Sequence, residues 1–256
     1  MRFLYTDYLD YLKNLREAGY LLSTFEACPH EDMTALIRHD IDASPVKALE
    51  MARVESENQV RATYFVLLTS KFYNLLDQEN EQAIREISKL GHEVGLHFDF
   101  SKYGASLTQS KLQDAVFYET SLLSRILEGK PVHSISWHIP MKAYLGKDVP
   151  LFSEAGALKN AYSSEYFYGY KYISDSMMRW REVPEQMISP LKYPRLQILT
   201  HPIWYSNEEN GTDLMILERL RQHQQQSMDA YLETLRPGFC EYIGSTGGGS
   251  GKNGTN

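Results

Sequence analysis

The stretch Arg38–Asp42, with the sequence RHDID, comes directly after an apolar run at residues 35–37. If this segment forms a β-strand, its side chains alternate, and Asp40 and Asp42 lie on the same face. Two adjacent carboxylates repel each other and need a cation or a shared proton to coexist. Because Ser44 and the proline after it favour a helix start, we predict a polar strand end followed by a helix, where α/β proteins often hold active sites. The alternative is an acidic turn in which one aspartate forms a salt bridge.

The composition limits the classes of protein to consider. The 256 residues suffice for one large α/β domain or two small ones, and 43% of them are hydrophobic. A net charge of −7 argues against a nucleic-acid partner. No apolar run approaches the ~20 residues of a transmembrane segment, and residues 1–7 are too polar for a signal peptide. With Cys28 and Cys240 alone, no disulfide framework or cysteine-based zinc site is expected, and we predict a soluble cytoplasmic protein.

Apolar, β-branched segments alternate with segments of helical periodicity along the chain. Besides the strand that ends near Asp42, strands are predicted at residues 62–68, 93–97, 132–139, 161–162, 172–174 and 196–200. Helices are predicted at residues 6–19, with Thr6 as the cap, and at 45–58, 83–90, 108–127 and 213–235. Such alternation produces parallel strands with helices outside. These strands could form a barrel or an open sheet. Since about seven strands are predicted and no phosphate-binding glycine loop is present, we favour an α/β fold, a (β/α) barrel of about seven parallel strands with outer helices.

The domain organisation is predicted to be simple. No linker or internal repeat divides the chain, so we expect residues 1–243 to form a single domain. Residues 244–256 are rich in Gly, Ser, Thr and Asn, a composition typical of a disordered tail. The sequence predicts no particular oligomeric state.

Three histidines each close an apolar strand segment: His97, His138 and His201. The carboxyl ends of parallel strands meet at one face of a barrel, which also receives Asp40 and Asp42. One carboxylate with two imidazoles is a common ligand set for a catalytic divalent metal. A single strand-end histidine is more often a hydrogen-bonded structural residue, but three on one edge favour a site.

These motifs resemble those of the polysaccharide deacetylase family, the group homologous to nodulation-type chitooligosaccharide deacetylases. The resemblance covers about residues 36–205 and rests on RHDID at 38–42, GHEVGLH at 91–97 and LTHP at 199–202, in the family's order. It implies a distorted barrel of parallel strands that removes N- or O-acetyl groups from sugars with a divalent metal, often Zn²⁺. The Asp-x-Asp form of the first motif is similar to that of enzymes of surface-polysaccharide assembly.

The resemblance also implies roles for individual residues. In the first motif Asp40 matches the general base and Asp42 a metal ligand, although Ile41 separates aspartates that adjoin each other in the family. His201 matches the general acid of the last motif. Asp175 matches the aspartate that supports this histidine.

The remaining metal ligands are less directly implied. His97 matches the first of two family histidines four positions apart, but Ser101 occupies the second position. We expect His138, at the next strand end, to be the third metal ligand, with Asp99 as the alternative. Asp99 is the weaker candidate because a second carboxylate would neutralise the cation and reduce its ability to activate water.

The family's third motif carries an arginine that orients the base, and none is present at the corresponding place here. Arg38 and Arg179 are the candidates to replace it. For substrate binding we expect Trp137 and Trp204 to stack on sugar faces, and Arg179 to contact a phosphate or nucleotide carried by the sugar.

The expected activity is therefore a metal-dependent hydrolase that removes an acetyl group from an N-acetylated sugar or sugar conjugate in surface-polysaccharide biosynthesis. The substrate would be a free, nucleotide-linked or lipid-linked sugar. A deformylase of a formamido sugar would use the same residues. Two further alternatives are a two-metal phosphoesterase and a catalytically degenerate relative that only binds carbohydrate.

Overall fold

The computed structural model describes residues 1–29, 33–104 and 107–208, together with residues 221–222, 224–226 and 228–229. The chain divides into two compact units, Met1–Asn210 and Gly211–Asn256. The described residues of the second unit are helical, within the helix predicted at 213–235. The rest of that helix and the predicted tail at 244–256 lie outside the described residues, so the single domain over 1–243 stays a prediction.

The first unit alternates strands and helices. Its strands are β1 (Leu21–Ser23), β2 (Thr34–Ile41), β3 (Thr63–Val66), β4 (Glu93–Asp99), β5 (Ser134–His138), β6 (Phe152–Ser153), β7 (Gly156–Ala157), β8 (Lys159–Asn160), β9 (Lys171–Ser174) and β10 (Arg195–Thr200). Its α-helices are α1 (Tyr5–Glu17), α2 (Pro45–Glu57), α3 (Gln78–Lys89), α4 (Gln109–Ile126) and α5 (Ser164–Gly169). Single 3₁₀ turns lie at Phe100–Lys102, Lys142–Tyr144, Ser176–Met178, Pro184–Met187 and Pro202–Trp204.

One curved sheet forms the centre of this unit. Its strand order is β8-β5-β4-β3-β2-β10-β9, and all neighbours are parallel. The short β1 pairs with the first half of β2, while β3 pairs with the second half. Seven parallel strands with surrounding helices confirm the predicted distorted (β/α) barrel. Among the described residues, no helix is both long and apolar enough to cross a membrane.

Local capping chemistry sets the starts of α2 and α4, whereas a tertiary contact sets the start of α1. The Ser44 hydroxyl accepts a hydrogen bond from the Lys47 amide at 3.2 Å, and Pro45 occupies the first helical position of α2. Thr108 caps α4 in the same way. The prediction of a Thr6 cap for α1 is wrong, because the cap residue is Leu4. The Tyr5 amide donates instead to the Ser206 carbonyl at 3.0 Å, so a tertiary contact sets the helix start.

The central strand β2 is buried along its whole length, and its two faces differ in chemistry. On the outer face, the imidazole of His39 lies 2.8 Å from Oε1 of Glu55 in α2 and 2.6 Å from the Thr200 hydroxyl of β10. Arg38 and Asp40 therefore lie on the inner face, where the barrel opens to the site.

Candidate metal centre and acid–base residues

The first component of the site is a buried ion pair on the inner face of β2. Nη2 of Arg38 donates to Oδ2 of Asp40 at 2.8 Å, and its Nε donates to Oδ1 at 3.2 Å. Both side chains are buried, with Asp40 only 4% exposed. Burial acts to raise the pKa of Asp40, but the guanidinium of Arg38 holds that pKa below its usual range. Asp40 is therefore an ionised carboxylate of fixed orientation.

The guanidinium of Arg38 is itself held from several sides. Its Nη1 donates to Oε1 of Gln197 at 3.0 Å, and its Nη2 donates to the Ser136 hydroxyl at 2.5 Å. The rings of Phe65 and Tyr162 each lie 5.2 Å from its Cζ atom, within the range of cation–π contacts. Strands β3, β5 and β10 thus all contribute to the position of the cation beside Asp40.

The second component is a triangle of potential metal ligands: Asp42, His97 and His138. Oδ1 of Asp42 lies 3.3 Å from Nε2 of His97 and 3.4 Å from Nδ1 of His138. The two imidazole nitrogens are 3.4 Å apart. Burial raises the pKa of Asp42, but the imidazoles of His138 and His97 hold that pKa well below its usual range. The carboxylate of Asp42 is thus ionised beside two imidazoles.

This triangle fits a divalent cation. Zinc–ligand bonds of about 2.0–2.1 Å in a tetrahedral arrangement separate the ligand atoms by roughly 3.3–3.4 Å. The three observed separations of 3.3, 3.4 and 3.4 Å agree with this value. Oδ1 of Asp42 is also a buried oxygen without a hydrogen-bond partner among the described residues. One carboxylate and two imidazoles leave further coordination positions for water or substrate.

Strand register explains how residues distant in sequence meet. β4 and β5 are neighbours, with His97 opposite Ser136 and Asp99 opposite His138. The side chains of His97 and His138 reach the same side of the sheet from adjacent strands. Asp42 comes directly after β2, and β3 lies between β2 and β4 in the sheet. The curvature of the sheet brings the Asp42 carboxylate to both imidazoles.

Asp99, the alternative third ligand, has other partners. Its Oδ1 accepts a hydrogen bond from the Ser101 amide at 2.8 Å, and its Oδ2 accepts one from the Ser101 hydroxyl at 2.7 Å. Ser101, which occupies the position of the second family histidine, therefore contacts a neighbouring carboxylate. The geometry groups His138, rather than Asp99, with Asp42 and His97.

The third component is a histidine–aspartate pair between the ends of β9 and β10. Nδ1 of His201 lies 2.6 Å from Oδ1 of Asp175, and the His201 amide donates to Oδ2 at 3.0 Å. Burial acts to lower the pKa of His201, but the buried Asp175 carboxylate outweighs it and raises that pKa to about 9. His201 is thus an imidazolium at neutral pH, and its Nε2 lies 3.7 Å from Oδ2 of Asp42.

The three predicted substrate-binding residues differ in their exposure and in their position relative to the site. The ring of Trp204 is partly exposed and lies beside His201, with 6.2 Å between ring centroids. Arg179 is exposed, and its backbone amide donates to the Asp175 carbonyl at 3.2 Å. Trp137 is 1% exposed and lies in an aromatic cluster with Phe98 and Phe100, so it is not available at the mouth of the site.

The sequence interpretation did not assign roles to Gln197 and Ser136. Both are polar residues on buried strands, and both face the inside of the barrel, where they contact Arg38. The sequence signal that could have indicated their importance is a polar residue at an inward position of a buried strand. Their shared partner, Arg38, could not be identified without knowing how the strands are arranged around β2.

The fold and the grouped residues define a class: a parallel (β/α) barrel with a candidate Asp-His-His metal centre, a buried carboxylate paired with an arginine, and an aspartate-supported imidazolium. In motif order and barrel architecture, the chain resembles the polysaccharide deacetylases.

Comparison with known proteins gives similarity to solved structures only. No protein-family model and no curated protein sequence matches this chain. The chain is similar to the chitin deacetylase of the fungal pathogen Colletotrichum lindemuthianum, at 14% identity over 80% of this chain and 87% of that one, with a TM-score of 0.42. It is also similar to IcaB from Ammonifex degensii, at 16% identity over 54% of this chain and 67% of that one, with a TM-score of 0.39.

A third similar structure is BA3943 from Bacillus anthracis, a family 4 carbohydrate esterase pseudoenzyme. The identity is 13% over 76% of this chain and 62% of that one, with a TM-score of 0.42. This chain spans less than two thirds of the length of the three BA3943 structures, at 64%, 65% and 62%. Identities of 13–16% are too low to transfer the role of any residue from these proteins.

Proposed function

We propose that this protein is a metal-dependent hydrolase that removes an acetyl group from an N-acetylated sugar or sugar conjugate. The observation that carries the proposal is the grouping of the Asp42, His97 and His138 ligand atoms within 4.8 Å of one another, beside Asp40 and His201. Oδ2 of Asp40 lies 3.5 Å from Nε2 of His97, and Nε2 of His201 lies 3.7 Å from Oδ2 of Asp42. An ionised carboxylate and an imidazolium thus both adjoin the proposed metal site.

In this proposal each group has a separate role in the hydrolysis of the amide. A divalent cation, zinc in our proposal, would supply carbonyl polarisation and an acidified water when held by Asp42, His97 and His138. Asp40 would take the proton of the attacking water, since Arg38 keeps it ionised and oriented. Each proton-transfer group of this kind typically contributes about 10²–10⁴ in rate.

His201 would complete the reaction as general acid. An amine is a poor leaving group, so the amide nitrogen must be protonated before the C–N bond breaks. Asp175 keeps His201 protonated and directs its Nε2 towards the site through the 2.6 Å contact at Nδ1. Trp204, beside His201, would provide a ring face for the sugar.

The resemblance of the motifs to those of surface-polysaccharide enzymes supports a sugar conjugate of that biosynthesis as the substrate. A formamido sugar would engage the same proton-transfer groups, so the identity of the released acid separates the two activities.

The test is to load the purified full chain with Zn²⁺ and measure acid release from penta-N-acetylchitopentaose. We expect about one metal ion per chain and acetate release that stops on chelation and resumes when Zn²⁺ is returned. Release of formate, but not acetate, from paired formamido and acetamido sugars would assign a deformylase. Two metal ions per chain would favour a phosphoesterase, and sugar binding without hydrolysis would favour a degenerate carbohydrate-binding protein.

A further inference from the structure

We propose that Asp99 binds a hydroxyl group of the sugar beside the scissile amide and thereby selects hydroxylated substrates over simple acyl esters. The inference rests on the proposed hydrolase function and assigns a recognition role to a residue outside the metal and acid–base groups.

The backbone places Asp99 next to the metal ligands. Asp99 is the last residue of β4, two positions after His97, and its φ and ψ of −105° and 111° continue the extended conformation. Its side chain therefore lies on the same face of the sheet as that of His97. It is also directly opposite His138 in the pairing of β4 with β5. Two of the three proposed ligands are thus its nearest neighbours on this face.

The carboxylate of Asp99 is oriented in advance and retains capacity to accept hydrogen bonds. Ser101 donates one hydrogen bond to each of its oxygens, at 2.8 and 2.7 Å. An ionised carboxylate has about four acceptor positions, so about two remain. Among the described residues, no lysine or arginine forms an ion pair with Asp99, and the side chain is partly exposed. The Asp99 carboxylate is thus an accessible hydrogen-bond acceptor at the edge of the site, and Ser101 fixes its orientation.

Sugar hydroxyls are the natural donors for such an acceptor. A hydroxyl donating to a carboxylate makes a short charge-assisted bond of about 2.5–2.7 Å, stronger than a neutral one. Because Ser101 fixes the carboxylate, little conformational freedom remains to be lost on binding. Loss of one hydrogen bond to a charged group lowers affinity by roughly 10- to 100-fold. An acyl ester without hydroxyls would gain nothing from Asp99.

The variant Asp99→Asn tests substrate recognition by Asp99 while it leaves the local backbone structure unchanged. The Asn oxygen still accepts from the Ser101 amide and the Asn amide can donate to the Ser101 hydroxyl, so the turn is preserved while charge and free acceptor capacity fall. The matched control is Asp114→Asn, which removes the same charge from an exposed position on α4, outside the barrel.

The experiment compares two probes on the Zn²⁺-loaded full chain: penta-N-acetylchitopentaose and 4-nitrophenyl acetate. For Asp99→Asn we expect the ratio of kcat/KM values, sugar over ester, to fall 10- to 100-fold through KM, with the metal content of the wild type. The Kd of the sugar from calorimetry should weaken equally, and Asp114→Asn should match the wild type in both. An unchanged ratio and Kd, no sugar binding by the wild type, or loss of metal from Asp99→Asn would overturn the proposal. Sugar binding that depends on Asp99 without hydrolysis of either probe would instead refute the proposed hydrolase.

Discussion

Nε2 of His97 and Nδ1 of His138 lie 3.4 Å apart, on adjacent parallel strands and each close to Oδ1 of Asp42. In the family that the motifs resemble, two histidines four positions apart on one segment are expected. In the candidate ligand group the second imidazole comes from the next strand, and Ser101 occupies the position of the second family histidine. The resemblance alone therefore does not give this candidate group, which depends on the pairing of β4 with β5.

We predict that His138→Ala lowers metal affinity by about 10- to 100-fold or more, because it removes one of three ligands. In the wild type, metal at a hundredfold excess over its Kd should stabilise the fold by about 2.7 kcal/mol, and a 10- to 100-fold weaker Kd should remove about 1.3 to 2.3 kcal/mol of this gain. Metal analysis after dialysis and thermal melting with and without Zn²⁺ measure both effects. Ser101→Ala is the matched control and should retain wild-type metal content. Full occupancy in His138→Ala would exclude His138 as a ligand.

We predict that Asp40→Asn lowers kcat by about 10²- to 10⁴-fold while metal content stays at the wild-type value. Asparagine keeps the shape of the side chain and its contact with Arg38, but it cannot accept the proton of water. Steady-state acetate release and metal analysis on the same preparation check the two halves of the prediction. Asp10→Asn, at an exposed position on α1, controls for the change in charge. If Asp40→Asn lost its metal, the roles of the two aspartates would have to be exchanged.

The sequence predicted the parts of the site that depend on strand alternation. Asp40 and Asp42 are two positions apart, and period-two alternation was enough to predict that their carboxylates lie on one face, where both adjoin Nε2 of His97. The same rule, applied to Trp137 between Ser136 and His138, would have placed its ring outside the barrel. The sugar-stacking prediction for Trp137 followed the residue type and neglected its position in the strand.

Other features depend on contacts between distant segments and could not be predicted from local patterns. Arg38 is positioned beside Asp40 by its hydrogen bonds to Gln197 and Ser136. These residues are far from Arg38 in the sequence and meet it only when the sheet forms. The start of α1 depends on the Ser206 carbonyl, from near the far end of the first unit. Side-chain propensity at Thr6 carries no information about that contact.

We predict that Arg38→Met destabilises the fold by about 3–5 kcal/mol, because it leaves the buried carboxylate of Asp40 without its cation. The double variant Arg38→Met with Asp40→Asn should recover a large part of this loss, since the unpaired charge is then removed. Urea unfolding of the two single variants and the double variant measures the coupling. Arg53→Met, at an exposed position on α2, should change stability by less than about 0.5 kcal/mol. Additive losses in the double variant would contradict a direct Arg38–Asp40 interaction.

The last prediction concerns acid sensitivity of the buried cluster behind β2, away from the proposed metal site. Burial lowers the pKa of His92 below its usual 6.5, although the Glu55 carboxylate and the Ala52 carbonyl both act to raise it. The neutral imidazole accepts a hydrogen bond from the Ala62 amide at 3.2 Å. In the unfolded chain this histidine takes up a proton below about pH 6.5, whereas the folded protein takes it up only at a lower pH. The unfolded state therefore binds more protons in this window.

Stability should consequently fall as the pH decreases from 6.5, by up to about 1.4 kcal/mol per pH unit from His92 until its folded pKa is reached. Burial acts to raise the pKa of Glu55, but His39 holds that pKa below its usual value. Protonation of Glu55 therefore causes a second loss of folding stability, which begins only below about pH 4.5. Urea unfolding of the apo protein at several pH values between 7 and 5 tests the first effect. His92→Gln should flatten the slope in that window, while His133→Gln, at a partly exposed position, should keep it. Equal slopes for the wild type and His92→Gln would show that protonation of His92 does not limit stability, because the imidazole would then bind its proton equally well in both states.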